Sequence, residues 1–395
     1  MVRLSRAVVP DLEGMGDVLV QRGQRSCGNR FFLVGAEHSG ATLAGLMLDH
    51  HPMLSFGFDF RYAVELMADG DGWPDLRDYC KYLRRHSGFR AAELVIAAGL
   101  TYPQTVDSFL EQKRRRDRKA LVGATVHRDF DRLLRIWPDA RFIHIVRDAR
   151  DVAWTLIAKG LAGNTYSAVE DWLAAEALWS RLRRELSPDR WTEIRYETLV
   201  TQPEATLAGL CEFLGVPFDH AMLNYPNDTI YGAPSPHAIG RWKRGLSPDS
   251  VRLVEARVGD MLVELGYEYS GLPLLELSPR MESRLHRHDR FYRALFRWMK
   301  HGTRLFLADF LARRFGRRSW SLEVQERMAA QFAKTILRGA ALQRIQDYQS
   351  RDLSSISPAP HAIALRPENT ARRGISQIGP DGLEPSPGDS HHDRV

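Results

Sequence analysis

The sequence predicts an α/β protein: a parallel sheet flanked by helices, followed by a helical C-terminal extension. Three observations carry that expectation. A strand-type apolar run from Arg30 ends at Gly35, and a helix-compatible stretch begins after Gly40. Further along, apolar runs alternate with segments of helical period, as βα units require. After Gly271 the strand signals stop, and residues 279–349 read as all-helical, basic and aromatic.

The elements follow in order. Leu43 to Leu48 supply the apolar positions of the first helix, which His51-Pro52 ends. Residues 62–118 read as helical around a turn at Gly70 to Pro74, with Lys113-Arg114-Arg115-Arg116 as a solvated helix end. Lys119 to Thr125 is a second strand. Arg141 to Val146 is a third, with the nearly continuous apolar run that parallel strands need. A helix runs from Ala149 to Lys159, and another from Tyr166 to Leu186 carries Trp172 and Trp179 a heptad apart as packing residues. Trp191 to Tyr196 is a fourth strand. Pro203 to Leu214 is a helix stopped by Gly215 and Pro217, and Pro248 to Leu265 is one stopped by Gly266.

Composition sets the domain plan. The chain has 395 residues, 44% of them hydrophobic, enough for one large α/β domain with an appendage. Its net charge is +6, yet residues 280–351 hold 17 Lys/Arg against 6 Asp/Glu, so the basic character belongs to the C-terminal part. The plan is a lead-in at 1–29, the α/β domain at 30–271, a basic helical extension at 272–351 and a disordered tail at 352–395, rich in Pro, Ser, Gly and Asp. Cys27, Cys80 and Cys211 have neither zinc nor disulfide spacing. With no apolar run long enough to span a bilayer and no signal-type N-terminus, the expected location is cytoplasmic.

The chemistry starts at Gly35-Ala36-Glu37-His38-Ser39-Gly40-Ala41-Thr42. A strand, a glycine-bounded turn and a helix N-terminus make an anion cradle from backbone N–H groups and the helix dipole. The spacing Gly35-x4-Gly40-x-Thr42 makes the fold P-loop-type, but Ala41 stands where a Walker loop has lysine. That absence argues against a Mg-dependent kinase or triphosphatase. The second stretch is RFIHIVRDARDVAWT at 141–155, where a buried strand delivers Arg147 to the sheet's C-terminal edge. Thr155 follows eight residues later, so a guanidinium fork and a hydroxyl can share one phosphate. Taken alone, Tyr196 on its strand reads as core, and Trp242 as packing between Arg241 and Lys243.

In these residues the chain resembles the PAPS-dependent sulfotransferases, and within them the bacterial and tyrosylprotein-type branch. That family pairs a GxxRSGTT-like loop with an RDPRDVxxS-like element, matched here at 35–42 and 147–155. Arg195-Tyr196-Glu197-Thr198-Leu199-Val200 is similar to its RYEDLV segment, whose tyrosine lies near the adenine. Gly240-Arg241-Trp242-Lys243 and Leu265-Gly266-Tyr267-Glu268 resemble its closing elements, so the likeness covers roughly residues 30–270. The resemblance implies PAPS as co-substrate and no metal. Gly35, Ala36, Glu37, His38, Ser39, Gly40, Ala41 and Thr42 would hold the 5′-phosphosulfate and Arg147 and Thr155 the 3′-phosphate. Tyr196, Arg241 and Lys243 would complete the nucleotide site. Two positions depart from the family: His38 replaces the usual arginine and Ala41 the usual first threonine. A lost hydrogen bond to a charged group costs about 1.5–3 kcal/mol, which weakens such a site without abolishing it.

The resemblance also implies in-line sulfuryl transfer to a hydroxyl or amine, with a carboxylate base. The family's glutamate falls in the stretch Ser55 to Arg61, where Asp59 is the only carboxylate. Flanking phenylalanines are expected to desolvate Asp59, which suits a base. Asp59, His38 and Arg61 form the expected catalytic set, with Arg61 beside the acceptor, and His50, His51 and Glu65 are alternative bases. The acceptor is a small molecule, a glycan or a peptide. A rival reading keeps the fold as a non-catalytic PAP(S)-binding or interaction protein. The basic helices at 279–349 fit either packing or dimer formation, or contact with a membrane surface, and no nucleic-acid motif accompanies their charge.

Overall fold

The structure, a computed structural model, describes residues 29–315 other than 58 and 230, together with 324, 327 and 328. The lead-in up to residue 28, residues 352–395, for which disorder is expected, and most of the extension beyond 315 therefore lie outside the described residues.

Among the described residues five parallel strands form one sheet in the order β2-β3-β1-β4-β5. They are β1 (Arg30–Val34), β2 (Leu54–Gly57), β3 (Leu121–Val126), β4 (Arg141–Val146) and β5 (Trp191–Arg195). The helices that matter below are α1 (Ala41–Asp49), α2 (Leu76–Arg85), α3 (Tyr102–Asp117), α4 (Ala149–Ala158), α5 (Glu170–Glu185), α6 (Tyr196–Thr201), α7 (Pro203–Leu214), α8 (Pro248–Val258) and α9 (Pro279–Phe315). The central strand β1 pairs with β3 on one side and β4 on the other; Val34 is level with both Val126 and His144. The chain builds one half of the sheet, then crosses over β1 to build the other. That reversal opens a crevice at the C-terminal end of β1, where ligands bind in open α/β sheets.

Side chains alternate across the sheet, so each strand feeds two cores. Phe31 and Leu33 join Ile143, Ile145 and the apolar face of α1 on one side. Phe32 and Val34 join Phe142, Trp137, Trp172 and Trp179 on the other. Trp172 and Trp179 are core residues, as their spacing predicts.

Several boundaries differ from the sequence reading. β2 was not expected; four residues at the sheet edge carry too short a pattern to stand out. The fourth strand ends at Arg195, so Tyr196 opens helix α6 instead of closing a strand. The predicted helix 166–186 is two pieces, Thr165–Ala168 and α5. The predicted helix 248–265 breaks at Gly259, whose φ of +59° leaves the helical region. Lys113 is not a solvated helix end: its ammonium pairs with Asp117 at 2.7 Å and Asp49 at 3.3 Å, tying α3 to the end of α1. In α9 the backbone leaves helical geometry at Gly302, with φ +75°.

A titratable cluster sits deep in the sheet. His144 is fully buried on β4, its ring stacked on Trp179 at 4.7 Å. Glu176 lies 3.2 Å from its Nε2 and Glu193 3.5 Å from its Nδ1.

Candidate functional site

The loop after β1 sits at the crevice. Gly35 has φ +137°, and a Cβ there would overlap the Ile145 carbonyl of β4, so only glycine lets the chain leave the strand at this angle. Gly40, with φ +104°, caps α1 without a side chain, and a Cβ on it would overlap the Tyr196 ring. No side chain caps α1, so its first N–H groups face the crevice with the positive end of the dipole. Ser39 is completely buried and its hydroxyl has no hydrogen-bond partner. A buried hydroxyl of that kind carries a desolvation cost unless something fills the cradle.

Arg147 leaves the end of β4 and is 6% exposed. It donates to the His38 carbonyl at 3.3 Å and the Ala238 carbonyl at 2.8 Å, and lies 3.8 Å from Asp151. Its guanidinium stacks over the Tyr196 ring, while its Nε has no partner. Loop, arginine and tyrosine are thus one unit. Thr155 stands one helical turn beyond Asp151 and donates its hydroxyl to the Asp151 carbonyl at 2.8 Å.

The two acids after Arg147 are buried fasteners. Asp151 accepts from the Gly240 N–H at 2.8 Å and the Trp242 N–H at 3.0 Å. Asp148 accepts from the Trp242 indole and from Arg150, whose guanidinium reaches Glu255 at 2.7 Å and stacks on Trp242. These bonds hold residues 238–242 against the start of α4. Arg241 is carried there, over the Trp154 ring and donating to the His237 carbonyl. Lys243 is exposed beside Trp242.

Electrostatics at the loop are cationic. Burial pushes the His38 imidazole down to about 4, and Lys159, His127 and Arg147 push the same way, with only Glu37 opposing. His38 is therefore neutral near pH 7 and does not replace the charge of an arginine. Lys159 is itself pushed down by burial and by Arg147. Sequence reasoning missed both Lys159 and His127. Lys159 lies four residues after Thr155, on the same helix face, and that spacing was a usable signal. His127 directly follows β3, as Arg147 directly follows β4. Its Nδ1 hydrogen-bonds the Gly35 carbonyl at 2.8 Å. The carbonyl can only accept, so Nδ1 carries a proton and Nε2 is the ring nitrogen placed to accept one.

The predicted base region is joined to the loop through Arg61. Its Nη1 lies 4.0 Å from Glu37 and its Nε 3.6 Å from Glu65. Glu65 also accepts from the Tyr82 hydroxyl at 2.6 Å. Asp59, at φ +29°, accepts weakly from the Arg61 N–H at 3.4 Å. It is exposed, so the expected desolvation is not present: Phe60 turns into the core, and Phe58 lies outside the described residues. His51 is fully buried; its Nδ1 accepts from Met53 and its Nε2 donates to Pro217, which leaves no free nitrogen for a base. His50 bonds back to Leu46 at the far end of α1, about 13 Å of helix from the loop.

Residues 30–220 match the profile of a family described as the sulfotransferase family. Over that segment, just under half of the chain, the sequence is similar to the sulfotransferases. It is 24% identical over 260 residues to a protein-tyrosine sulfotransferase of Drosophila melanogaster, covering 60% of this chain. The chain spans about half the length of that relative, 51%. It is 25% identical over 268 residues to protein-tyrosine sulfotransferase 1 of Danio rerio, covering 60% of this chain and 72% of the other. Among solved structures, the sulfotransferase domain of the Synechococcus PCC 7002 olefin synthase aligns at 21% identity, with a TM-score of 0.43, over 60% of this chain and 97% of that one.

Proposed function

We propose that this protein moves a sulfuryl group from PAPS to a hydroxyl or amine of its acceptor. The observation that carries the reading is a pair of buried, unpartnered polar atoms, Ser39 Oγ and Arg147 Nε, set in a cationic crevice with uncapped backbone donors. Such atoms fit an anion with several acceptor oxygens. The loop from Gly35 to Thr42 would take the 5′-phosphosulfate. Arg147, Thr155 and Lys159 would take the 3′-phosphate, with Tyr196, Arg241 and Lys243 around the nucleotide. PAPS supplies an activated sulfuryl group: as the acceptor oxygen or nitrogen bonds to sulfur, the bond from sulfur to the phosphate oxygen breaks and PAP leaves. Backbone donors and cations at the loop would stabilise charge on that departing oxygen.

Two groups compete for the acceptor's proton. Asp59 is the carboxylate of the expected segment and lies beside Arg61. His127 is favoured by its fixed tautomer, which leaves Nε2 as a proton acceptor near the loop. Loss of turnover in Asp59→Asn with activity kept in His127→Gln assigns the base to Asp59, and the reverse assigns it to His127. Small-molecule, glycan and peptide acceptors are all within the proposal.

Calorimetric titration with PAP tests the nucleotide assignment. Saturable binding is expected; no heat from folded protein at high concentration overturns it. Tight PAP binding with no sulfuryl transfer to any acceptor panel would favour the non-catalytic reading, for which the altered positions His38 and Ala41 speak.

A further inference from the structure

Among the described residues, the basic helix α9 carries half of the large exposed apolar side chains. Phe291, Tyr292, Trp298, Met299, Leu307, Phe310 and Leu311 each stand 42–65% exposed. Exposed apolar side chains concentrated on one element mark an interaction surface.

The first half of the helix has one face committed to the protein. Asn164 donates to the Leu285 carbonyl at 2.7 Å, and Asp289 accepts from the Gly163 N–H at 2.7 Å. Tyr292 and Phe296 press on Gly163 and Gly160 so closely that a Cβ on either glycine would overlap them. Positions 285, 289, 292 and 296 make a single helical stripe. On the opposite side, positions 280, 284, 287, 291 and 298 make a second stripe: Arg280, Arg284, Arg287, Phe291 and Trp298, all exposed. Beyond the break at Gly302, Leu307, Phe310 and Leu311 form an exposed i, i+3, i+4 set next to Arg304, while Leu305, Ala308 and Ala312 pack inward on Val324 and Met328. Leu161, in the loop that α9 docks on, is 43% exposed.

We infer that α9 lies on an anionic lipid surface, with its exposed aromatic and aliphatic side chains at the headgroup–acyl boundary and its arginines on lipid anions. The charge selects the occupant. The helix carries ten Lys/Arg against three Asp/Glu. A second copy of this chain meeting it about a two-fold axis would set the same cationic stripe against itself. A bilayer with anionic headgroups satisfies both the apolar and the cationic parts of the stripe, the pattern of helices that lie in the interface plane. No helix among the described residues is long and apolar enough to cross a membrane, so the contact is peripheral.

Vesicle sedimentation of the full chain tests this. Phosphatidylcholine vesicles with and without about one-third phosphatidylserine are compared at low and high salt. Binding to the anionic vesicles that falls steeply with salt is expected. Arg287→Gln should weaken it on the order of fivefold, the effect of one cation at such a surface. Phe291→Ser with Trp298→Ser should weaken it more, at an unchanged melting temperature, since both side chains already face solvent. The absence of sedimentation with anionic vesicles at low salt overturns the proposal, as does binding that neither variant nor salt alters. Self-association at micromolar concentration that the double variant abolishes, without vesicle binding, would assign the stripe to a second copy instead. Retention of the chain on polyglutamate but not on vesicles would assign it to an acidic protein.

Discussion

The guanidinium of Arg147 lies 4.2 Å from the centroid of the Tyr196 ring and joins three segments distant in sequence: the loop at His38, the segment at Ala238 and the start of α6. Arg147→Ala removes a buried fork and a cation–π contact together. If the 3′-phosphate binds here, PAP affinity should fall about 10- to 150-fold, the effect of losing one charge-assisted hydrogen bond of about 1.5–3 kcal/mol. Arg147→Lys should recover only part of this, because an ammonium cannot make the planar fork. Calorimetry with both variants measures the difference. Wild-type affinity in a folded Arg147→Ala protein would refute the assignment.

Gly40 is held by that same tyrosine. Gly40→Ala introduces a Cβ into the Tyr196 ring at a φ of +104°, so both packing and backbone resist it. The expected loss of stability is about 1–3 kcal/mol from overpacking alone. Adding Tyr196→Ala should restore part of the melting temperature lost to the overlap, leaving the backbone strain. No recovery would mean that the strain dominates.

His38 makes nucleotide binding depend on pH. Its imidazole is held down to about 4 in the free protein, against about 6.5 for an unperturbed histidine. An anion in the cradle would raise that value, so binding takes up a proton between the two. PAP affinity should therefore rise as pH falls from 7 towards 5, and His38→Gln should flatten the profile. The folded protein itself responds in the opposite sense. The unfolded chain binds this proton more readily, so His38 withdraws stability as pH falls below about 6.5, until its folded value near 4 is passed. Calorimetry in buffers of different ionisation enthalpy reads the proton uptake, and none at pH 5–6 would contradict this account.

His144 acts in the other direction. Burial pushes its imidazole down, but Glu176 and Glu193 beside it more than reverse this and its pKa is raised. The stability it contributes is complete below the unfolded value and is lost as pH rises through the folded one. Melting temperature should decline along that alkaline arm. His144→Gln should remove the decline and cost about 3–5 kcal/mol, because Glu176, 1% exposed, loses its cationic neighbour. An unchanged melting profile in the variant would show that the cluster is not charged.

Much of the fold was legible in the linear order of residues. Long apolar runs at 30–34, 121–126 and 141–146 fill parallel strands buried on both faces, and glycines at 35 and 40 mark a turn that other residues cannot make. The contact of that loop with Arg147 was also readable, since each follows a strand and the C-terminal ends of parallel strands share one edge. β2 was not, because a four-residue edge strand has too few positions to show a period. Nor was the state of each polar group. Asp59 stands between phenylalanines and is exposed, whereas His51 follows Asp49 and His50 and is buried, locked between Met53 and Pro217. Which way a short segment turns is settled by partners far along the chain. The same holds for His127 and Lys159: each is an ordinary polar residue in sequence, and only the packing of α4 and β3 around β1 brings them to His38. Local pattern specifies the strands and the turn because those depend on backbone sterics and period. Burial, protonation and charge depend on distances between elements, and those come into being only when the sheet assembles.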